Sequence, residues 1–288
     1  MDIGVAYPQI ELRGDPDAVR RFGSAAEDLG FDHLLAYEHV LGAVHTDRSP
    51  PLSGPYAEHD PFHDPFVMFA HLAGITHRIR FTTGILVLPQ RQTAVVARQA
   101  ADVDLFSGGR LRLGVGVGWN HVEYEALGED FHTRGARQGE QIELLRLLFT
   151  EPVVDFSGRF DRVDRVALMP KPSRSIPIWL GGSGDKAFDR AARLAEGFIF
   201  FGGGVENTMG AWRKVRERVA RVGRSIDEFG GDYVALSGGD MGELTREVEA
   251  WRNAGGTHLS VVTMGLGLDS VEAHIDYISS LSARLGLS

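Results

Sequence analysis

The stretch Arg110–Asn120 reads RLRLGVGVGWN: a short apolar strand, Leu111–Val117, running out into Gly118, Trp119 and Asn120. Two segments of the same type flank it, Phe81–Arg91 (FTTGILVLPQR) upstream and Ile176–Gly184 (IPIWLGGSG) downstream. Each is an apolar run that opens into glycine or proline at its C-terminal end. Continuous apolar runs mark strands buried on both faces, as in a parallel sheet. The pattern predicts a wall of parallel strands with function at their C-terminal ends.

Working outward, strands are expected at Ile3–Tyr7, Asp32–Tyr37, Arg80–Leu88, Leu111–Val117, Pro177–Leu180, Gly197–Phe201, Tyr233–Leu236 and His258–Thr263. Helical patterns follow them at Asp17–Leu29, Pro65–Gly74, Thr93–Phe106, Gly135–Phe149, Asp185–Ala195, Glu206–Val222, Gly242–Asn253 and Ser270–Leu285. In the first helix Val19, Phe22, Ala26 and Leu29 recur at helical spacing, and Gly30 stops it. Eight strands each followed by helix predict an α/β fold, a (βα)8 TIM barrel forming a single domain over residues 1–288. A doubly wound open sheet is the competing arrangement. Two insertions stand out: a polar loop over Glu38–Asp64, read as a lid, and a hairpin within Val153–Pro172 before strand five.

At 288 residues the chain has the length such a barrel needs, roughly 250 residues. A net charge of −9 argues against a nucleic-acid partner, which wants clustered basic surface. The absence of cysteine removes disulfides, thiolate catalysis and thiolate-bound metals. Met1-Asp2-Ile3-Gly4 enters a strand with no signal-peptide pattern, and no apolar run approaches the ~18 residues of a membrane span, so a cytoplasmic protein is expected. The only lysines, Lys171, Lys186 and Lys214, lie off the expected strands, which argues against a Schiff-base aldolase. His59 and His63 suggest metal binding, but Pro61 between them breaks the helical i, i+4 pairing, and no metal is expected.

In a barrel of this type the active site lies at the C-terminal strand ends. Those ends carry Glu38-His39, Gly118-Trp119-Asn120, Gly181-Gly182-Ser183-Gly184, Gly202-Gly203-Gly204, Ser237-Gly238-Gly239 and Thr263-Met264-Gly265. An imidazole at His39 can give or take a proton near neutral pH. Strand neighbours point to opposite faces, so one of Glu38 and His39 should face the ligand. Glycines before a helix expose backbone amides to a phosphate; Gly181–Gly184 and Gly202–Gly203 suit that role. Each cluster can equally be an ordinary βα turn, and Trp119 an ordinary cap on the barrel core. None matches a P-loop, and GVGVGW lacks the GxGxxG spacing.

Taken together, Glu38-His39, Thr83-Gly84-Ile85-Leu86, Asp104–Leu111, Gly114–Trp119 with Glu123, Phe131, Arg134-Gly135, Pro177–Ser183 and Ala195-Glu196-Gly197 resemble the bacterial luciferase-like flavin superfamily. Within it they are similar to the coenzyme F420-dependent oxidoreductases. The resemblance implies a flat flavin or deazaflavin ring at the strand C-termini and a non-prolyl cis peptide at Gly84–Ile85. It implies cofactor contacts from Thr83, Gly84, Ile85, Gly118, Trp119, Asn120, Gly181, Gly182, Ser183, Gly184, Gly202 and Gly203. His39 would be the proton donor or acceptor, tuned by Glu38. The implied function is hydride transfer between reduced F420 and a small organic substrate. The alternatives are an FMN-dependent monooxygenase and a barrel that binds flavin without turnover. Sugar-phosphate dehydrogenases of the family place a carboxylate where Trp119 stands, so a sugar phosphate is not expected. A homodimer is expected from the family, with Ala94–Ala97 and neighbouring helices as its apolar face.

Overall fold

The structure is a computed structural model describing residues 1–236 and 238–287; Ser237, expected in a strand-end cluster, lies outside the described residues. Its parallel strands are β1 (Asp2–Ala6), β2 (His33–Ala36), β3 (Arg80–Thr83), β4 (Leu86–Val87), β5 (Leu111–Gly116), β8 (Ile178–Gly181), β9 (Gly197–Phe201), β10 (Gly230–Leu236) and β11 (His258–Val262). Between β5 and β8, β6 (Val154–Ser157) and β7 (Arg162–Val166) pair only with each other, as the expected hairpin. The helices are α1 (Pro16–Asp28), α2 (Pro65–Ala73), α3 (Thr93–Ser107), α4 (His121–Ala126), α5 (Arg134–Thr150), α6 (Asp185–Leu194), α7 (Gly204–Arg221), α8 (Met241–Asn253) and α9 (Val271–Leu285).

The sheet order is β3-β2-β1-β11-β10-β9-β8-β5-β4, and a further β3–β5 pairing closes it. Because β3 and β4 form one stave, nine strands make eight staves, and the doubly wound alternative is excluded. Strand alternation sorts side chains between two apolar zones. On β2, Leu34 and Ala36 pack outward under the helices while Leu35 turns into the barrel with Ala6, Ile199, Val234 and Val262. Local chemistry sets the helix ends. Asp15, Asp64, Asn120, Asp240 and Ser270 each accept backbone amides at an N-terminus, and Gly108 ends α3 in the left-handed region (φ 68°).

The third stave departs from expectation. A continuous strand over Arg80–Leu88 is interrupted at Gly84–Ile85, which is a cis peptide as the resemblance implied. Thr83 is wholly buried and its hydroxyl donates to the Gly114 carbonyl at 2.6 Å. Ile85 turns into the barrel mouth. There a Cβ on Gly116 would lie 2.4 Å from its Cδ1, and one on Gly181 would lie 2.5 Å from its Cγ2. Gly114, Gly116 and Gly181 are therefore spaces for Ile85 and Ile199 inside the barrel rather than backbone laid open to a ligand. No helix among the described residues is long and apolar enough to cross a membrane.

Candidate active site

His39 stands three residues past the end of β2, at the C-terminal mouth. Its Nδ1 lies 2.8 Å from Glu123 Oε2, and the other oxygen of Glu123 accepts the amides of Val40 (2.7 Å) and Leu41 (3.1 Å). Glu123 is delivered by α4, whose first turn is fixed by Asn120 Oδ1 accepting from Val122 and Glu123. A carboxylate already engaged by two donors acts as acceptor toward Nδ1, so the ring hydrogen sits there. Nε2, bonded to no other described residue, is left free to give or take a hydrogen bond.

Aromatic rings surround this imidazole. Tyr56, Phe62 and Trp119 stand edge-on to it at centroid distances of 5.4, 5.0 and 5.3 Å. Tyr56 and Phe62 come from the Glu38–Asp64 loop, so the expected lid lies over the mouth. Its Gly54 sits so close on the Trp119 indole that a Cβ would fall 2.3 Å from the ring. Burial pushes the Tyr56 phenol up to about 12, so it keeps its proton at neutral pH. The row continues through Tyr37 to Phe201, 6.0 Å apart. Phe201 and Leu236, at the ends of β9 and β10, are 40% and 61% exposed and form an apolar rim at the mouth.

Glu38 does not tune His39. It is buried, accepts the Val87 amide and is ion-paired with Arg91, which also reaches Asp64 at 2.6 Å. Burial pushes its carboxyl up from the ordinary value, with Arg91 opposing. Both residues lie past the end of β2, and of the two it is His39 that borders the cavity at the mouth. Thr83 and Gly84 are buried within the third stave, and Asn120 is spent as a helix cap and only 3% exposed, so neither the Thr83 nor the Asn120 side chain reaches the mouth. Ile85, Gly118 and Trp119 are half-buried at the mouth.

Of the phosphate cradle, Gly181 belongs to β8 and is buried. Gly182, Ser183 and Gly184 lie exposed ahead of α6, and Gly202, half-buried, and Gly203, exposed, lie ahead of α7. Gly184 and Gly204 hold φ of 81° and 75°, and a Cβ at either would meet nothing within 4 Å. The two helix N-termini thus face open space with bare backbone, which suits an anionic tail. Between them runs a groove of about 650 Å³ lined by Gly184, Asp185, Glu206, Asn207, Arg213 and Lys214. A second cavity, of about 420 Å³, adjoins His39, with Phe62, Asp64, Gln90, Arg91 and Gln99 among its walls. Both amide atoms of Gln90 are buried without a partner. An exposed apolar rim, a bare cradle and an adjacent polar cavity fit a planar ring, its tail and a small substrate.

Sequence reasoning did not single out Tyr56, Phe62, Arg91, Gln90, Phe201 or Leu236. For Phe201 a signal existed: in GFIFF it shares the inward face with Ile199, one step beyond the filled interior. The lid residues carry no period and are placed only by the fold. His59 is exposed beside Glu58, while His63 is half-buried, and the described residues contain no cluster of three or more metal-ligating side chains.

Residues 3–237 match a family model described as luciferase-like monooxygenase. Over 210 residues the chain is 33% identical to an uncharacterized protein of Mycobacterium tuberculosis, covering 72% of this chain and 70% of that one. It is 30% identical over 211 residues to the pyrimidine monooxygenase RutA of Variovorax paradoxus, covering 70% of this chain but 56% of that enzyme. Among solved structures, an F420-dependent secondary alcohol dehydrogenase in complex with an F420-acetone adduct superposes with a TM-score of 0.79 over 98% of each chain, at 16% identity.

Proposed function

The chain belongs to the luciferase-like monooxygenase family and is an oxidoreductase; from that premise we propose that it transfers a hydride between reduced coenzyme F420 and a carbonyl or unsaturated small molecule. The observation that carries this reading is His39, oriented by Glu123 at the barrel mouth beside an exposed apolar rim and a bare two-helix cradle.

Ile85, Trp119 and Phe201 would hold the ring, and Gly182–Gly184 with Gly202 and Gly203 its phosphate. When bound, reduced F420 supplies two electrons and a hydrogen as hydride to the acceptor carbon. His39 Nε2 delivers the proton taken up by the acceptor oxygen or neighbouring carbon, and in the reverse direction removes it. Gln90, with an unpaired donor and an unpaired acceptor in the adjoining cavity, orients the substrate. The Glu38–Asp64 lid keeps water from the reacting atoms.

The groove beyond the cradle favours F420 over FMN. FMN ends in one phosphate, whereas the F420 tail continues past its phosphate into further carboxylates, and Arg213 and Lys214 line the groove alongside Glu206 and Asp185. Asp185 in the same groove is held by Arg218 at 2.5 Å. The second reading, an FMN-dependent monooxygenase, is favoured by the similarity to RutA. Titrating the purified protein with each cofactor and following fluorescence tests the choice. Saturable F420 binding, tighter than FMN by about tenfold or more, is the expected result; tight FMN binding with none of F420 overturns it. A second copy of the chain is proposed to cover the face where α2 and α3 expose Val67 (67%), Val95 (47%) and Phe106 (69%). Of the expected Ala94–Ala97 face, Val96 and Ala97 are buried in the core.

A further inference from the structure

The N-terminal end of the barrel, opposite the candidate active site, holds a third cavity of about 410 Å³ at the starts of β2, β3, β5, β8 and β11. Four arginines line it, Arg80, Arg110, Arg112 and Arg174, with His33 and His258 beside them and Trp179 as an apolar wall. Its described lining contains no carboxylate.

The acids of this region sit behind the arginines. Asp232 takes Arg112 at 2.7 Å and Ser260 at 3.0 Å, while Asp2 takes Arg80 at 2.6 Å and His258 at 3.2 Å. Asp32 approaches Arg80 only to 3.4 Å. The other two arginines are held mainly by dipoles. Arg110 donates to the carbonyls of Ser107 (2.6 Å), Ile79 (2.7 Å) and Thr76 (2.8 Å). Arg174 donates to those of Gly109 (2.7 Å) and Leu111 (2.6 Å), with Asp104 no nearer than 3.5 Å. The bonds described here leave Nη1 of Arg80 and of Arg112 uncommitted. The guanidinium groups, and not the carboxylates that flank them, line the cavity, so its walls offer N–H donors to negative oxygens.

His33 makes the site more selective than a cluster of cations. Its Nε2 lies 2.7 Å from Ser260 Oγ, and the Ser260 hydroxyl donates onward to Asp232. The ring hydrogen is therefore on Nε2, and Nδ1 is a lone-pair acceptor that is buried without a partner. The side chain is 1% exposed. A ligand that satisfies this wall presents negative oxygens to the arginine forks and one hydroxyl proton to Nδ1. A monoprotonated phosphate does both; a sulfate offers only the oxygens.

We propose that this cavity is a binding site for a phosphate group, free or carried by a small phosphate monoester, separate from the site at the barrel mouth. Calorimetric titration of the whole protein with inorganic phosphate, with glycerol phosphate, with sulfate and with chloride at matched ionic strength tests it. Saturable phosphate binding, tighter than sulfate and absent with chloride, is expected; the monoester arm binding tighter than free phosphate identifies a metabolite as the source, and the converse identifies the free ion. Arg174→Gln should weaken phosphate by about tenfold or more, whereas Lys214→Gln, in the groove at the mouth, should leave this binding unchanged. Phosphate no better than chloride, equal affinity for sulfate, or loss of binding in Lys214→Gln with retention in Arg174→Gln would overturn the assignment. Because the glycine cradle at the mouth also suits a phosphate, the wild-type titration is repeated on protein saturated with its cofactor: phosphate binding that persists supports this cavity even where a variant folds poorly, and binding that disappears overturns the assignment.

Discussion

The imidazole of His39 is useful only as far as its ring is held still, and Glu123 does the holding. A carboxylate that takes Nδ1–H and two backbone amides fixes both the tautomer and the turn of the chain after β2. Glu123→Gln keeps the size but lets an amide NH2 face Nδ1 or the Val40 amide, so the ring rotates or changes tautomer. Turnover is expected to fall about a hundredfold with cofactor affinity changed by no more than about threefold, and the pH–rate profile to shift. Glu123→Asp should restore part of the rate. An unchanged kcat and pH profile in Glu123→Gln would remove it as a positioning residue. The sequence made His39 visible because it follows closely on a strand. The partner was misread for a simple reason: Glu38 is adjacent in the chain but is taken up by Arg91 and the Val87 amide, while Glu123 is 84 residues away and reaches the ring only through the fold.

Among the elements, the lid is tied at both ends by one side chain. Arg91 pairs with Glu38, where the loop leaves β2, and with Asp64, where the loop ends as the N-cap of α2. Its own carbonyl is held by Gln141 of α5 at 2.9 Å. Arg91→Met would strand the buried Glu38 without its counter-charge, a change that costs about 3–5 kcal/mol where an ion pair is broken from one side. Urea unfolding should read that loss, and limited proteolysis should cut the loop faster. Replacing Glu38 as well, in Glu38→Leu with Arg91→Met, should recover most of the stability while the loop, released from Asp64, stays protease-sensitive. Regular elements were legible because burial writes a period of two or 3.6 into the chain; β9 falls on Gly197–Phe201 as expected, and β8 and α6 within a residue. The break in the third stave was not written in its composition, since FTTGILVL is as apolar after Gly84 as before it. Only the resemblance pointed to that position.

At the scale of the whole barrel, closure concentrates buried ionisable groups at the N-terminal end, and that end sets the response to acid. Burial pushes His258 down to about 4, with Asp2 opposing, and His33 is lowered by the same cause. The unfolded chain takes up a proton at each imidazole near the ordinary value of about 6.5. The folded chain resists until much lower pH. Between those limits the unfolded state binds more protons, so stability is full above about pH 6.5 and falls on acidification toward pH 4, by about 3 kcal/mol for His258 alone. Asp2 is held well below the usual carboxylate range by the His258 hydrogen bond, aided by Arg80. Asp232 is held there by Arg112 against the cost of its burial. Their contribution persists through that window and is lost only below about pH 4. Urea unfolding at neutral pH and near pH 4.5 should therefore show a steep loss before the carboxylates begin to titrate. In His258→Asn the curve should flatten over that interval, because the amide has no proton to bind; a slope as steep as in the wild type would place the acid sensitivity elsewhere in the molecule.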